Sequence, residues 1–193
     1  MVQTDFDREL LASNLLEAKT LEQLYEKEKI LTNAKMIALE NNSIVGYLDY
    51  SHLKNIHRYL FSDVYIWAGK DRYEADISAD FGKGTTHFTS HDKLPEVSKL
   101  LFDALKDEKY FQGQDKNKFA KSAAVFMNGL NILHPFREGN GRVQRIFMEY
   151  VAKGAGFKLS FKNITAEEML KASIVGAKGN VYLMEQIFRK SLL

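Results

Sequence analysis

The 193-residue sequence contains no cysteine, which excludes disulfide bonds and thiolate chemistry and is typical of proteins in a reducing compartment. No apolar stretch approaches the roughly 20 residues that a membrane-spanning helix needs. The first ten residues, MVQTDFDREL, lack the basic and apolar regions of a secretory signal. The formal net charge is only +2, so the composition predicts neither nucleic-acid binding nor association with a membrane.

Prolines are also scarce: Pro95 and Pro135 are the only two, and most of the chain has the periodicity of amphipathic helices. No repeat, low-complexity tract or linker divides the chain, and its length suffices for one domain with a substantial core. We therefore predict a single all-α domain over residues 1–193, with an N-terminal helical extension over residues 1–45. The helices are predicted at Asp7–Ala18, Thr20–Asn41, Ser51–Leu60, Lys93–Asp107, Lys116–Leu133, Gly141–Lys153, Thr165–Ala177 and Asn180–Lys190.

One short segment, residues 134–145 (HPFREGNGRVQR), holds most of the residue types that phosphate chemistry needs. The Gly139–Gly141 turn allows the backbone to bend sharply and to present N–H groups at the start of a helix, which makes an anion-binding site. Arg142 and Arg145 lie one turn apart on that helix and add two permanent positive charges suited to phosphate oxygens. The segment predicts a nucleotide phosphate site, in which the Asn140 side chain helps to orient the phosphates.

Two further residues of this segment have the chemistry of an active site. His134 stands at the near edge, where a neutral imidazole can take a proton from an incoming hydroxyl. Glu138 directly precedes the turn and is placed to hold a divalent cation against the phosphates. Each has a simpler alternative, because a loop histidine can satisfy a helix end and a carboxylate can cap the next helix. The adjacent anion site favours the catalytic interpretation. His57, in contrast, lies among apolar residues and is expected to be a satisfied core histidine.

A departure from helix is predicted over residues 73–89. Tyr73–Ile77 and Thr85–Thr89 are β-prone runs, and residues 78–84 between them are rich in glycine and polar side chains. This pattern predicts a β-hairpin with a flexible tip. From the residues alone, the preferred interpretation is a surface hairpin that only caps the core.

Residues 134–145 resemble the signature of the Fic family, HPFx(D/E)GNGRxxR, with every specified position filled. The resemblance extends over residues 48–188 and includes the upstream stretch Leu53–Gly69. It implies a Fic-type helical domain with a hairpin flap over the active site, which transfers AMP from ATP, with Mg2+, to a Ser, Thr or Tyr hydroxyl of a target protein. The residues it implies are His134 as the base; Glu138 for the metal; Gly139, Asn140, Gly141, Arg142 and Arg145 for the nucleotide, with Arg145 at the γ-phosphate; and Thr85, Thr86, His87 and Phe88 for the target.

Two other functions compete with AMP transfer. One is different phosphoryl or nucleotidyl transfer on the same fold, against which the intact Gly139–Gly141 turn and both arginines argue. The other is a non-catalytic nucleotide-sensing module, which has no need of a base such as His134 or of Glu138. The sequence therefore favours AMP transfer.

The resemblance also bears on regulation. Many Fic proteins carry an inhibitory helix with the pattern Ser/Thr-x-x-x-Glu-Gly/Asn-Asn, whose glutamate pairs with the second motif arginine. Here Glu40 is followed by two asparagines but has Met36 at the hydroxyl position, and Lys178 replaces the glutamate of a second near-match. The chain thus lacks its own inhibitor, and the resemblance implies a toxin that a small antitoxin inhibits with such a helix. The expected place of action is the bacterial cytoplasm, with delivery into a host cell left open.

Overall fold

The computed structural model describes residues 5–77, 82–83 and 86–193. These residues are mostly helical, which confirms the predicted fold class, and they include one antiparallel pair of strands, β1 (Gly82–Lys83) and β2 (Thr86–His87). No helix in the described residues has the length and apolar content that crossing a bilayer requires. The helices are α1 (Asp5–Ala12), α2 (Leu21–Asn41), α3 (Tyr50–Phe61), α4 (Leu94–Asp107), α5 (Lys116–Leu133), α6 (Asn140–Gly154), α7 (Ala166–Ala177) and α8 (Tyr182–Ser191).

Helix α5 lies at the centre of the core and leads the chain to the predicted site. It begins after Asp115, whose carboxylate accepts hydrogen bonds from two backbone N–H groups of the first turn. Its apolar stripe, from Phe119 to Leu133, is buried, and the helix packs against α4, α6, α7 and α8. Because Pro135 cannot continue the helix, α5 ends at Leu133, and its bounds are the predicted ones.

The first helix is shorter than predicted. It ends at Ala12 and not at Ala18, because the side chain of Asn14 binds backbone groups that a longer helix would pair. The Asn14 side-chain oxygen accepts hydrogen bonds from the N–H groups of Leu16 and Ala18, each at 3.0 Å. These bonds stabilise a turn in place of further helix.

The predicted strand Tyr73–Ile77 is wrong, because these residues form a turn. Asp71 stabilises that turn with two hydrogen bonds, both 2.9 Å long. Its carboxylate accepts one from the N–H of Glu74, and its carbonyl accepts the other from the N–H of Ala75. The hairpin is consequently shorter than predicted, and β1 lies within the predicted loop. Thr85, one of the predicted target-binding residues, lies outside the described residues.

Candidate active site

His134 lies at the carboxyl end of α5, in the junction that leads to α6. Its backbone has φ 43° and ψ 59°, a left-handed conformation that ends the helix. Pro135 disfavours the right-handed helical conformation in the residue before it, so the helix cannot continue through His134. The imidazole stacks on the ring of Phe88, with centroids 3.7 Å apart and planes at 8°. The predicted base is therefore in direct contact with one predicted flap residue.

Two residues that the sequence analysis missed hold this end of α5. Arg72 is fully buried, and its guanidinium donates to the carbonyls of His134 at 3.0 Å and Thr89 at 2.6 Å. Thr89 donates its own N–H to the carbonyl of Ile132 at 2.9 Å. The bonds to the carbonyls of His134 and Ile132 satisfy groups that the end of α5 cannot pair by itself. The guanidinium of Arg72 also places a positive charge at the carboxyl end of the helix, where the helix dipole favours it. These bonds join the hairpin to the His134 turn.

The turn before α6 requires glycine at Gly139. Its φ of 80° is unfavourable for other residues, and a Cβ at this position would lie 2.3 Å from the ring of Phe61. Helix α6 begins at Asn140, and the N–H of Arg142 donates to the carbonyl of Gly139 at 3.1 Å. The N–H groups of Asn140 and Gly141 have no carbonyl one turn earlier in the helix to bind. The backbone here has the geometry that an anion site needs.

The side chain of Asn140 binds the backbone of the loop that precedes α6. Its oxygen accepts a hydrogen bond from the N–H of Phe136 at 2.9 Å, and its amide donates to the carbonyl of the same residue at 2.7 Å. Asn140 is buried, and both of its side-chain polar atoms bind Phe136, so its observed contacts are with the loop. It closes the loop that carries Glu138. That this side chain also helps to orient phosphates stays a prediction.

His57 contacts the loop that carries Glu138 from the core side. Its predicted role as a satisfied core histidine is confirmed. Its Nδ1 accepts the N–H of Gly69 at 2.8 Å, so its Nε2–H donates to the carbonyl of Glu138 at 3.2 Å. Its ring stacks on Phe136 with centroids 4.0 Å apart. Burial lowers the pKa of His57 to about 3, which keeps the imidazole neutral in this arrangement.

The two motif arginines have different surroundings. Arg142 lies over the Phe61 ring, 4.8 Å from its centroid, and forms an ion pair of 2.5 Å with Glu28. Arg145 has no carboxylate within 4.0 Å among the described residues, and its Nη1 lies beside Gly141. Burial, followed by the positive charge of Arg142, lowers the pKa of Arg145. The charge of Glu149 offsets part of this shift. Unlike Arg142, Arg145 has no carboxylate within 4.0 Å among the described residues, so a bound anion would stabilise its charge.

Glu28 was not predicted, although α2 contains a signal for it. Leu24, Glu28 and Thr32 follow one another at four-residue spacing, and all three are buried. A glutamate on the buried stripe of a helix is unusual unless it has a partner. The sequence gives no indication of that partner, which is distant in the chain.

Glu138 is the motif carboxylate that could hold a metal ion. One of its oxygens accepts the N–H of Gly139 at 2.9 Å, while the side chain remains 35% exposed. No group of three or more His, Cys, Asp or Glu residues forms a complete metal site in the described part of the chain. Mg2+ is commonly held by one or two carboxylates together with waters and substrate phosphates, so a single carboxylate beside an anion site fits this ion.

Comparison with known proteins identifies the family. Residues 47–152 match the model of the Fic/DOC family. The protein adenylyltransferase VbhT of Bartonella schoenbuchensis is 36% identical over 93% of this chain and 36% of its own length. The probable protein adenylyltransferase Fic of Escherichia coli is 34% identical over 92% of this chain and 85% of its own length. The chain belongs to the Fic/DOC family, as its motif predicted.

The fold is shared with solved structures. The BepC protein of Bartonella tribocorum, crystallised with bound AMPPNP, has a TM-score of 0.87 at 28% identity and covers 93% of this chain and 91% of that chain. The type IV secretion system effector BepA has a TM-score of 0.86 at 35% identity, over 93% and 64% of the two chains. The chain spans about a third of the length of the first curated relatives that it matches, 36% and 33%.

Proposed function

We propose that this protein transfers AMP from ATP to a Ser, Thr or Tyr hydroxyl of a target protein. One observation carries the proposal: a single junction combines an anion-binding turn, an arginine without a close carboxylate among the described residues, and a histidine in contact with the flap. The adenylyltransferase names of the relatives support it, as does the AMPPNP bound to BepC.

In the proposed reaction, His134 accepts the proton of the target hydroxyl. The hydroxyl oxygen then bonds to the α-phosphorus, and the bond from that phosphorus to the β-phosphate oxygen breaks, so that pyrophosphate leaves. N–H groups of the Gly139–Gly141 turn bind phosphate oxygens, Arg145 binds the γ-phosphate and Arg142 adds positive charge beside them. Glu138 holds Mg2+, which neutralises phosphate charge when it is bound.

We assign target binding to the hairpin, namely to Thr85, Thr86, His87 and Phe88. A strand added to a hairpin is held by main-chain hydrogen bonds, which fix a peptide largely independently of its sequence. The stacking of Phe88 on His134 supports this assignment, because a target segment along the hairpin would pass close to the base.

Labelled ATP tests the proposed function and its two competitors. The purified protein is incubated with Mg2+, a cell lysate and ATP labelled at either the α- or the γ-phosphate. We expect the α label, and not the γ label, to become attached to protein, because only AMP transfer moves the α-phosphate. Attachment of the γ label alone would indicate a phosphotransferase, and attachment of neither label would favour a nucleotide-sensing module.

We also propose that a small partner protein inhibits this enzyme by placing a glutamate against Arg145. In the described residues no carboxylate occupies that position, and Glu40, the nearest match to an internal inhibitor, pairs with Lys162 at 2.9 Å. A charge-assisted pair at Arg145 would compete with the γ-phosphate of ATP. The proposed place of action is the bacterial cytoplasm, with delivery into a host cell as the alternative.

Expression of the chain without any partner tests this regulation. We expect the wild-type chain to arrest bacterial growth, because nothing then blocks ATP. The His134→Ala variant should relieve the arrest, while Glu40→Gly should leave it unchanged. Harmless wild-type protein that becomes toxic on the Glu40→Gly substitution would show that the inhibitor is internal.

A further inference from the structure

The guanidinium of Arg142 has two carboxylates near it, at different distances. Its Nη2 is 2.5 Å from Oε1 of Glu28 and 3.7 Å from Oε1 of Glu138. A guanidinium attracts both, and the closer contact is with the residue from α2. Glu28 therefore competes with Glu138 for the same positive charge.

Glu28 is held rigidly in this position. It is buried, and its second carboxylate oxygen accepts a hydrogen bond from the hydroxyl of Tyr65, which is also buried. Thr32, one turn further along α2, accepts a hydrogen bond from Nη1 of Arg142 at 3.1 Å. Both sides of the guanidinium fork are thus fixed by α2, while the Phe61 ring supports its face. A buried carboxylate with this many partners is pre-organised for a cation.

The Glu138 carboxylate differs in that it is partly exposed. Its Oε1 accepts the N–H of Gly139 and lies at the longer of the two distances from Arg142. If Glu28 carried no charge, Arg142 would lose its near partner, and Glu138 would be the next carboxylate within reach. A glutamate paired with arginine is a poorer ligand for a metal, because the arginine and the metal compete for the same oxygens.

We propose that Glu28, oriented by Tyr65, is a positioning residue that keeps Arg142 away from Glu138 and so leaves the Glu138 carboxylate free to bind Mg2+. This inference rests on the proposed function, since it takes Mg2+ at Glu138 as the ion that accompanies ATP. It gives α2, which lies outside the sequence motif, a role in positioning Arg142. Arg142 stays beside the phosphates, as proposed above, and Arg145 supplies the charge that has no carboxylate within 4.0 Å among the described residues.

The Glu28→Gln variant tests this inference, because it keeps the shape of the side chain and removes its charge. We expect the Mg2+ concentration for half-maximal AMP transfer to rise by about 10-fold to 100-fold, the usual effect of losing a residue that supports a metal ligand. Calorimetry supplies a readout apart from activity. ATP should bind the variant no more weakly than the wild-type protein in the absence of Mg2+, and adding Mg2+ should tighten binding less than in the wild-type protein.

Two further variants make the test specific. Tyr65→Phe keeps the charge of Glu28 and removes only its hydrogen bond, so it should raise the Mg2+ requirement in the same direction by a smaller factor. If Glu28→Gln does not fold, Tyr65→Phe provides the test. Glu185→Gln removes the glutamate of another Glu–Arg pair, to Arg189 on α8, and should leave the Mg2+ requirement unchanged.

The outcomes separate this inference from the proposed function. A wild-type protein that transfers no AMP would contradict the proposed function, whereas calorimetry with Mg2+ and ATP would still report on Glu28. Folded Glu28→Gln and Tyr65→Phe variants with wild-type Mg2+ dependence would overturn the inference. Faster transfer by Glu28→Gln at an unchanged Mg2+ requirement would also overturn it, and would identify Glu28 as an inhibitory contact.

Discussion

Replacing His134 with alanine is expected to abolish AMP transfer while leaving ATP binding unchanged. In the proposed reaction the imidazole takes the proton of the target hydroxyl, whereas the turn at Gly139 and Arg145 are proposed to bind the phosphates. General-base assistance contributes about 10²- to 10⁴-fold to a rate, so transfer should fall by at least that factor. The decrease should appear in kcat, because the histidine acts during the chemical step.

The measurement is transfer of the α label, with ATP affinity determined separately by calorimetry. Because residue 134 has a left-handed backbone, His134→Asn is a useful second variant: asparagine tolerates this conformation better than alanine does. Both variants should be inactive and folded. His91→Ala is the control, since His91 lies in a short turn before α4. Full transfer activity in either His134 variant would exclude the proposed base.

Most of the helices, and the grouping of the motif residues at one helix junction, could be predicted from the sequence because both depend on local signals. Asp115 and Pro135 delimit α5, and apolar residues at three- and four-residue spacing give α6 its buried face. The motif places its histidine, carboxylate, glycines and arginines within one helix junction, so their proximity follows from the chain itself. Local signals of this kind do not depend on the rest of the fold.

What the sequence did not reveal depends on contacts between distant segments. The partner of Arg142 is Glu28 on α2, and the carbonyl of Glu138 is bound by His57 on α3. The strand predicted at Tyr73–Ile77 and the length predicted for α1 are wrong for a local reason instead. In both places a single polar side chain binds nearby backbone groups more favourably than a strand or helix would, and propensity does not report such competition.

The second large effect is expected at Arg72, which should be needed for both stability and catalysis. Its guanidinium donates to carbonyls of the His134 turn and of Thr89, and it is fully buried. The Arg72→Met variant keeps much of the volume but leaves these buried carbonyls without a donor. Each such loss costs about 1–3 kcal/mol, so the free energy of unfolding should fall by about 3 kcal/mol or more.

Urea unfolding measures this change, and Arg189→Met is the matched control, because Arg189 is on the surface of α8 and pairs with Glu185. Arg72→Lys should lose less stability than Arg72→Met, because it keeps a buried donor, but one ammonium cannot reproduce the fork that binds two carbonyls. At temperatures where Arg72→Lys is folded, its AMP transfer should still be reduced, since the fork links the hairpin to the turn that carries His134. Wild-type transfer by folded Arg72→Lys would contradict the role of Arg72 in linking the hairpin to the His134 turn. If Arg72→Met lowers the free energy of unfolding by less than about 1 kcal/mol, water replaces the guanidinium at the end of α5.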